Sequence, residues 1–292
     1  SMGRDGQLDC LWRQSGMASI NTFYSRVTER LGFTANRHEG KVTGLAAYVD
    51  PPKALVEHMT RQVSFDAPGF SVMSGRPAKA HDAFWSRLDD FNQREVAAAA
   101  QQVLENAVVP FVDHWIRETG CPHVAVAGGI FANVKLNQRI AALDALESLW
   151  VIPHMGDGGL AAGGALGSAG TSPQRLDHVY WGTLASDKEI RRALSVAGLP
   201  KGKTADVIDR VAETLADGQV VARCAGAMEW GPRALGNRSI LAAPFDAKIN
   251  DWLNDMLQRS EFMPFAPVVR AEDVDRWFLG APPRADLPLH FP

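Results

Sequence analysis

Apolar residues recur at helical spacing early in the chain. Within residues 20–31 (INTFYSRVTERL), Phe23, Val27 and Leu31 fall on one side, which predicts an amphipathic helix. HEGKVTGLAAY follows, glycine-spaced and weakly polar, then the break VDPPKA. A short helix is expected over 53–63 and a loop over 64–80, which is rich in Gly, Pro and Ser. From about Asp82 to Thr119 good helix formers dominate, with an interruption expected near Pro110.

The pattern then changes to short apolar runs. HVAVAGG reads as a buried strand ending in glycines, and IFANVKLNQRIAAL as the helix after it. SLWVIPHMGDGG and LAAGGALGSA repeat strand, glycine turn and helix. Two such units in succession predict an α/β layer with a parallel sheet, whose ligands bind beyond the carboxyl ends of the strands. TSPQRLDHVYWGTLAS reads as a connection. Two amphipathic helices are expected within 186–217, a strand at QVVARCA, a loop at EWGPRALGNRS and a helix near 245–258. The tail LGAPPRADLPLHFP carries no periodicity.

Composition narrows the class. The 292 residues suffice for two domains, and 46% hydrophobic with 22% charged residues is the balance of a globular protein. Thirty basic against 33 acidic residues give a net charge of -3, so no global attraction to nucleic acid is expected and any anion site must be local. No apolar run approaches the roughly 20 residues that span a bilayer. Cys10, Cys121 and Cys224 are scattered and odd in number, which argues against a disulfide framework and for a cytoplasmic location. Ser1-Met2 resembles a tag remnant and is set aside.

Five segments can carry chemistry. In AGGIFANVKLN, Gly128 and Gly129 let backbone N–H groups approach a phosphate, and Asn133 is either a contact to a ribose or base or a helix cap. In HMGDGGLAAGG, Asp157 lies between Gly156 and Gly158; it reads as a ligand for a divalent metal or as a cap, with His154 a weaker second ligand. Lys41, beside Gly40 and Gly44, offers an ammonium to phosphate but lacks P-loop spacing, and a solvated lysine in a turn is the alternative. In EWGPRALGNRS, Arg233 and Arg238 present two forks for phosphate or carboxylate, Asn237 adds an amide, and Glu229 is expected to align one arginine. A surface ion-pair loop is the alternative, but Trp230, Pro232, Ala234 and Leu235 make the loop too apolar for full exposure. RSEFMPFAPVV reads as a rigid structural segment from which Arg259 and Glu261 can reach the same pocket. The other histidines, the tryptophans and the alanine-rich helix are read as packing or solvation.

Taken in order, HEGKVTGLAAY, GGIFANVKLN, GDGGLAAGGAL, EWGPRALGNRSILAAP and FMPFAP resemble the motif set of the O-carbamoyltransferases that modify nodulation factors and antibiotics. The resemblance implies an α/β fold. The carboxyl-terminal portion of an actin/sugar-kinase-like domain would span 3–176, and part of a threonylcarbamoyl-adenylate-synthase-like domain 177–292. It implies ATP and a divalent metal, Mg or Fe, as cofactors. Carbamoyl phosphate and a small hydroxyl-bearing acceptor would be the partners, with no nucleic acid and no membrane. By the same resemblance Glu229, Arg233, Asn237 and Arg238 are catalytic, Lys41, Gly128, Gly129, Asn133, Gly156 and Gly158 bind the nucleotide, and Asp157 binds the metal. The chain departs from the pattern in three ways. It contains no H-x-x-x-H metal motif, it starts inside the family's first domain, and Ala225 and Ala227 stand where a glutamine and an arginine are common. It is therefore expected to be an internal portion or a reduced relative, with a homodimer as one way to cover its sheet.

Overall fold

The computed structural model describes residues 1–16, 19–72, 83–170, 176, 178–200, 202, 206–246, 248–257 and 265–278. The chain divides into two compact units, one of residues 1–173 with 266–291 and one of residues 174–265.

The first unit is built around a long helix. It opens with a hairpin, β1 (Met2–Arg4) and β2 (Gln7–Asp9), so Met2 belongs to a strand. Helix α1 (Ile20–Arg30) buries Phe23, Tyr24 and Val27, with Leu31 at its C-cap, on the stripe that the spacing predicts. The glycine-spaced HEGKVTGLAAY is helical: α2 (Glu39–Leu45) runs into a 3-10 turn at Ala46–Tyr48, and Val42 is fully buried. Helix α3 (Lys53–Thr60) follows. The predicted loop after it begins instead as a hairpin, β3 (Val63–Asp66) with β4 (Gly69–Val72), paired in register from Val63↔Val72 to Asp66↔Gly69. Phe65 and Phe70 of this hairpin pack on Phe111.

Helix α4 (Gln93–Thr119) starts later than the composition suggests. Asn92 and Glu95 form a reciprocal capping box there, while 87–90 is a separate 3-10 turn. It also runs straight through Pro110. Proline removes one N–H and crowds the preceding turn. Here Val108, Val112 and Ile116 are buried on either side, so tertiary packing holds the helix across it. Gly120 ends α4 at φ 63°, the left-handed geometry that glycine adopts without a Cβ penalty. The core lies between α4 and the elements around it, with Leu55, Met59, Leu104, Leu136 and Ile140 all fully buried.

The two strand–turn–helix repeats form in the predicted order. Strands β5 (His123–Val126) and β6 (Ser148–Val151) are parallel, in register from His123↔Ser148 to Val126↔Val151. Strand β5 is not the buried strand expected: His123 and Ala125 are exposed and only Val126 is buried. Helices α5 (Val134–Ala141) and α6 (Gly158–Ala169) follow their glycine turns.

The second unit holds α7 (Asp187–Val196), α8 (Val207–Ala216), the antiparallel pair β7 (Val221–Cys224) and β8 (Arg238–Leu241), and α9 (Ile249–Met256). Ser186 and Glu189 cap α7 reciprocally. A short helix, α10 (Val274–Trp277), belongs to the first unit. Among the described residues no helix is long and apolar enough to cross a membrane.

Candidate functional site

In the first unit three of the five segments meet at the carboxyl ends of β5 and β6. Gly128 N donates to Met155 O at 2.6 Å, which lays the two glycine turns side by side. Gly128 has φ 117°, a conformation that L side chains rarely adopt, so this turn requires glycine. Gly129 begins a 3-10 turn (Gly129–Ala132) that delivers the chain to Asn133. Gly128 and Gly129 are both exposed at this end of the sheet.

Asn133 occupies the N-cap of α5, where its Oδ1 accepts from Leu136 N at 2.9 Å. It is also the centre of a buried polar network. Its Nδ2 donates to Thr43 Oγ1 at 3.1 Å and to Gln101 Oε1 at 2.8 Å, and Gln101 Nε2 donates to Asn133 Oδ1 and to Glu105 Oε1. The Tyr24 hydroxyl donates to Gln101 Oε1 at 2.9 Å and lies 3.1 Å from Thr43 Oγ1. Burial pushes the Tyr24 pKa well up, against the opposing hydrogen bonds, so it stays a neutral donor. Arg139 sits 3.4 Å from the buried Glu105. The amide expected to face a nucleotide is thus committed to partners of its own chain, and Asn133 acts by holding the turn. Asn137, one turn on, donates to Phe131 O at 2.8 Å. Its buried Oδ1 has no hydrogen-bond donor among the described residues, which leaves an acceptor open beside the glycine turn.

Asp157 takes the N-cap position of α6 but makes no capping bond. Its φ and ψ of -57° and -30° are helical, whereas a capping side chain needs extended backbone to fold back on the first N–H groups. The carboxylate is exposed and has no partner among the described residues. Gly156 O accepts from Gly159 N in the same turn. The His154 ring packs against the start of α6, so closely that a Cβ added at Gly158 would clash with it. Among the described residues no group of three or more His, Cys, Asp or Glu is arranged to hold a metal ion. Lys41 lies within α2, not in a turn, with its ammonium 5.6 Å from the centre of the Phe33 ring.

In the second unit the loop between β7 and β8 is organised by its buried acid. Glu229 Oε1 accepts three backbone N–H groups, from Leu235 at 2.8 Å, Asn237 at 2.7 Å and Arg238 at 3.2 Å. Burial raises its pKa, but these bonds together outweigh burial and hold it below the ordinary glutamate value. The acid therefore bonds loop backbone and, among the described residues, aligns no guanidinium. Arg238 is also turned inward: its Nη1 donates to Ala225 O and Asn237 O, both at 3.0 Å, and its Nη2 to Gly226 O at 3.1 Å. Asn237 Nδ2 donates to Ala227 O at 2.7 Å. Gly236, at φ 108°, turns its carbonyl to Arg223 Nε at 2.7 Å. Arg223 escaped the sequence reading because it lies in a strand whose other residues gave no sign of a site.

Arg233 differs from all of these. It is exposed, and its guanidinium has no partner among the described residues. Arg259 and Glu261 lie outside the described residues.

The family model described as carbamoyltransferase N-terminus matches residues 2–166, and the one described as carbamoyltransferase C-terminus matches residues 212–287. An uncharacterized protein of Methanocaldococcus jannaschii is 34% identical over 89% of this chain and 46% of its own length. Nodulation protein NolNO of Sinorhizobium fredii is 31% identical over 93% of this chain and 42% of its own. The 3'-hydroxymethylcephem-O-carbamoyltransferase of Streptomyces clavuligerus is 31% identical over 82% of this chain and 45% of its own. The chain spans about half the length of the curated relatives it matches.

Proposed function

The chain belongs to the carbamoyltransferase family, and from that premise we propose that it carries the nucleotide- and phosphate-handling part of an O-carbamoyltransferase. Carbamoyl phosphate, ATP and water give carbamoyl-adenylate, pyrophosphate and orthophosphate, and a hydroxyl of a small acceptor then displaces AMP. In this reading the second unit, as a threonylcarbamoyl-adenylate-synthase-like domain, engages the phosphates of the donors. The first, as part of an actin/sugar-kinase-like domain, receives the adenylate at its glycine turns.

The observation that carries the reading is the division of labour in the arginine loop. Glu229, Asn237, Arg238 and Arg223 are engaged in holding backbone, and the loop they hold presents Arg233 without a partner among the described residues. A guanidinium on a braced loop is preorganised for charge that builds on a phosphoryl group during bond exchange. In the first unit, N–H groups of the exposed glycine turns suit a phosphate. Asp157 supplies one carboxylate near them; a metal, if it binds, needs ligands beyond the described residues, and no step here depends on it.

The test is pyrophosphate release from ATP, carbamoyl phosphate and magnesium, with ATP affinity measured by calorimetry. Arg233→Ala is expected to weaken ATP binding about tenfold or more, since a charge-assisted bond contributes roughly 1.5–3 kcal/mol. Unchanged affinity would place Arg233 outside the site. A second reading, a nucleotide-binding relative without turnover, is favoured by Ala225 and Ala227, which meet the loop through backbone groups alone. It predicts ATP binding without carbamoyl-phosphate-dependent pyrophosphate release.

A further inference from the structure

Beside the arginine loop the second unit holds an aromatic cluster that the reading above does not use. The segment His178–Gly182 runs along Met228–Trp230. Trp230 N donates to Val179 O at 2.6 Å, and Gly182 N to Met228 O at 2.9 Å. A Cβ at Gly182 would come within 2.7 Å of Met228 Cβ, so this approach requires glycine. The Tyr180 hydroxyl donates to Leu235 O at 2.9 Å, which ties the segment to the loop itself.

This frame fixes Trp181. Its ring stacks on Trp230, with centroids 5.3 Å apart and planes 27° from parallel, and His178 meets it at a steep angle at 6.3 Å. Trp181 nevertheless remains 48% exposed. A large aromatic ring held by a stacked partner and by bonded backbone, yet open to solvent, loses little freedom when a flat ligand covers it. Arg233 follows Trp230 by three residues, a span of at most about 10 Å of extended chain.

We propose that Trp181 is the stacking platform for the heterocyclic base of the nucleotide whose phosphates Arg233 engages. The inference rests on the phosphate reading of the loop and adds to it the recognition of the base. Stacking is tolerant of base identity because every base has a π-face, so the platform confers affinity for nucleotides over bare polyphosphate without strong selection among bases.

The experiment compares ATP with inorganic tripolyphosphate, which keeps the charge and lacks the base, on the full chain by calorimetry. Trp181→Ala is expected to weaken ATP binding roughly tenfold, leave tripolyphosphate unchanged, and be largely rescued by Trp181→Phe. Arg233→Ala is expected to weaken both ligands. If Trp181→Ala leaves ATP affinity intact while Arg233→Ala lowers it, the platform is wrong and the phosphate reading stands. If Trp181→Ala weakens both ligands equally, the ring shapes the loop and does not bind the base, and the proposal is overturned. If the unaltered protein binds neither ligand, the phosphate reading falls and the platform with it.

Discussion

Arg233 and Arg238, five positions apart in one loop, show how far residue type underdetermines role. Both offer the same planar fork to an anion. Arg238 gives its N–H groups to Ala225, Asn237 and Gly226 carbonyls, while Arg233 has no partner among the described residues. Glu229 makes the difference by gathering three N–H groups onto one oxygen and folding the loop inward around itself. Its lowered pKa fixes the sign of the pH dependence. The carboxylate bonds stabilise the loop in full above the unfolded glutamate pKa, and that contribution disappears as pH falls through the lower folded value. Glu229→Gln removes the charge and is expected to destabilise the second unit by about 1.5–3 kcal/mol at pH 7, the range for hydrogen bonds to a charged group. It should also flatten the acid limb. Urea unfolding at pH 7 and pH 4 checks both, followed by near-ultraviolet circular dichroism, to which the stacked Trp181–Trp230 pair contributes. Equal pH slopes in the two proteins would show that the charge is not what holds the loop.

At the scale of elements, what could be read from the chain was what local pattern encodes. The stripe of α1, the two glycine-ended strands, and α7 and α8 all follow from periodicity and turn residues. The elements that tertiary contact decides were not legible. The β3–β4 hairpin sits in a Gly- and Pro-rich stretch that local rules read as loop, and is held by Phe65 and Phe70 on Phe111 of α4. Helix α4 crosses Pro110 because its flanks are buried. The same limit hid Tyr24 and Gln101, which carry no motif and matter only because α1, α2 and α4 bring them to Asn133. That network is expected to behave as a unit. Asn133→Ala removes a cap and leaves Gln101 and Thr43 short of partners, which should cost about 1–3 kcal/mol. Tyr24→Phe should cost about 0.5–1.5 kcal/mol. In a double-mutant cycle by urea unfolding the pair should fall short of the sum by at least about 0.5 kcal/mol. Strict additivity would mean that the turn is held by the cap bond alone.

Across the whole molecule burial is unevenly distributed, and stability should follow it. The first unit encloses one large apolar cluster around α4, with Val103, Leu104 and Ala107 essentially inaccessible. In the second unit, Val179 and Leu253 are the only hydrophobic side chains buried among the described residues, while Val196, Ile208 and Phe245 are 82%, 83% and 79% exposed. Helix α6 resembles the second unit in this respect: Leu160 and Leu166 are 72% and 63% exposed, and the helix buries none of its residues. Helices that bury little apolar surface gain little beyond their own backbone bonds, and short isolated helices are marginal in water. Hydrogen exchange followed by mass spectrometry should therefore find the slowest amides in α4 between Val96 and Val112. The amides of α6, α7 and α8 should exchange orders of magnitude faster, and limited proteolysis should cut first within 174–265. Saturating ATP should then slow exchange in 228–238 more than in α7 and α8, because the ligand proposed for the loop binds the braced backbone there and not the exposed helices. Protection of α7 and α8 equal to that of α4 without ligand would mean that their apolar faces are covered in solution, and the graded stability argued from burial would fail.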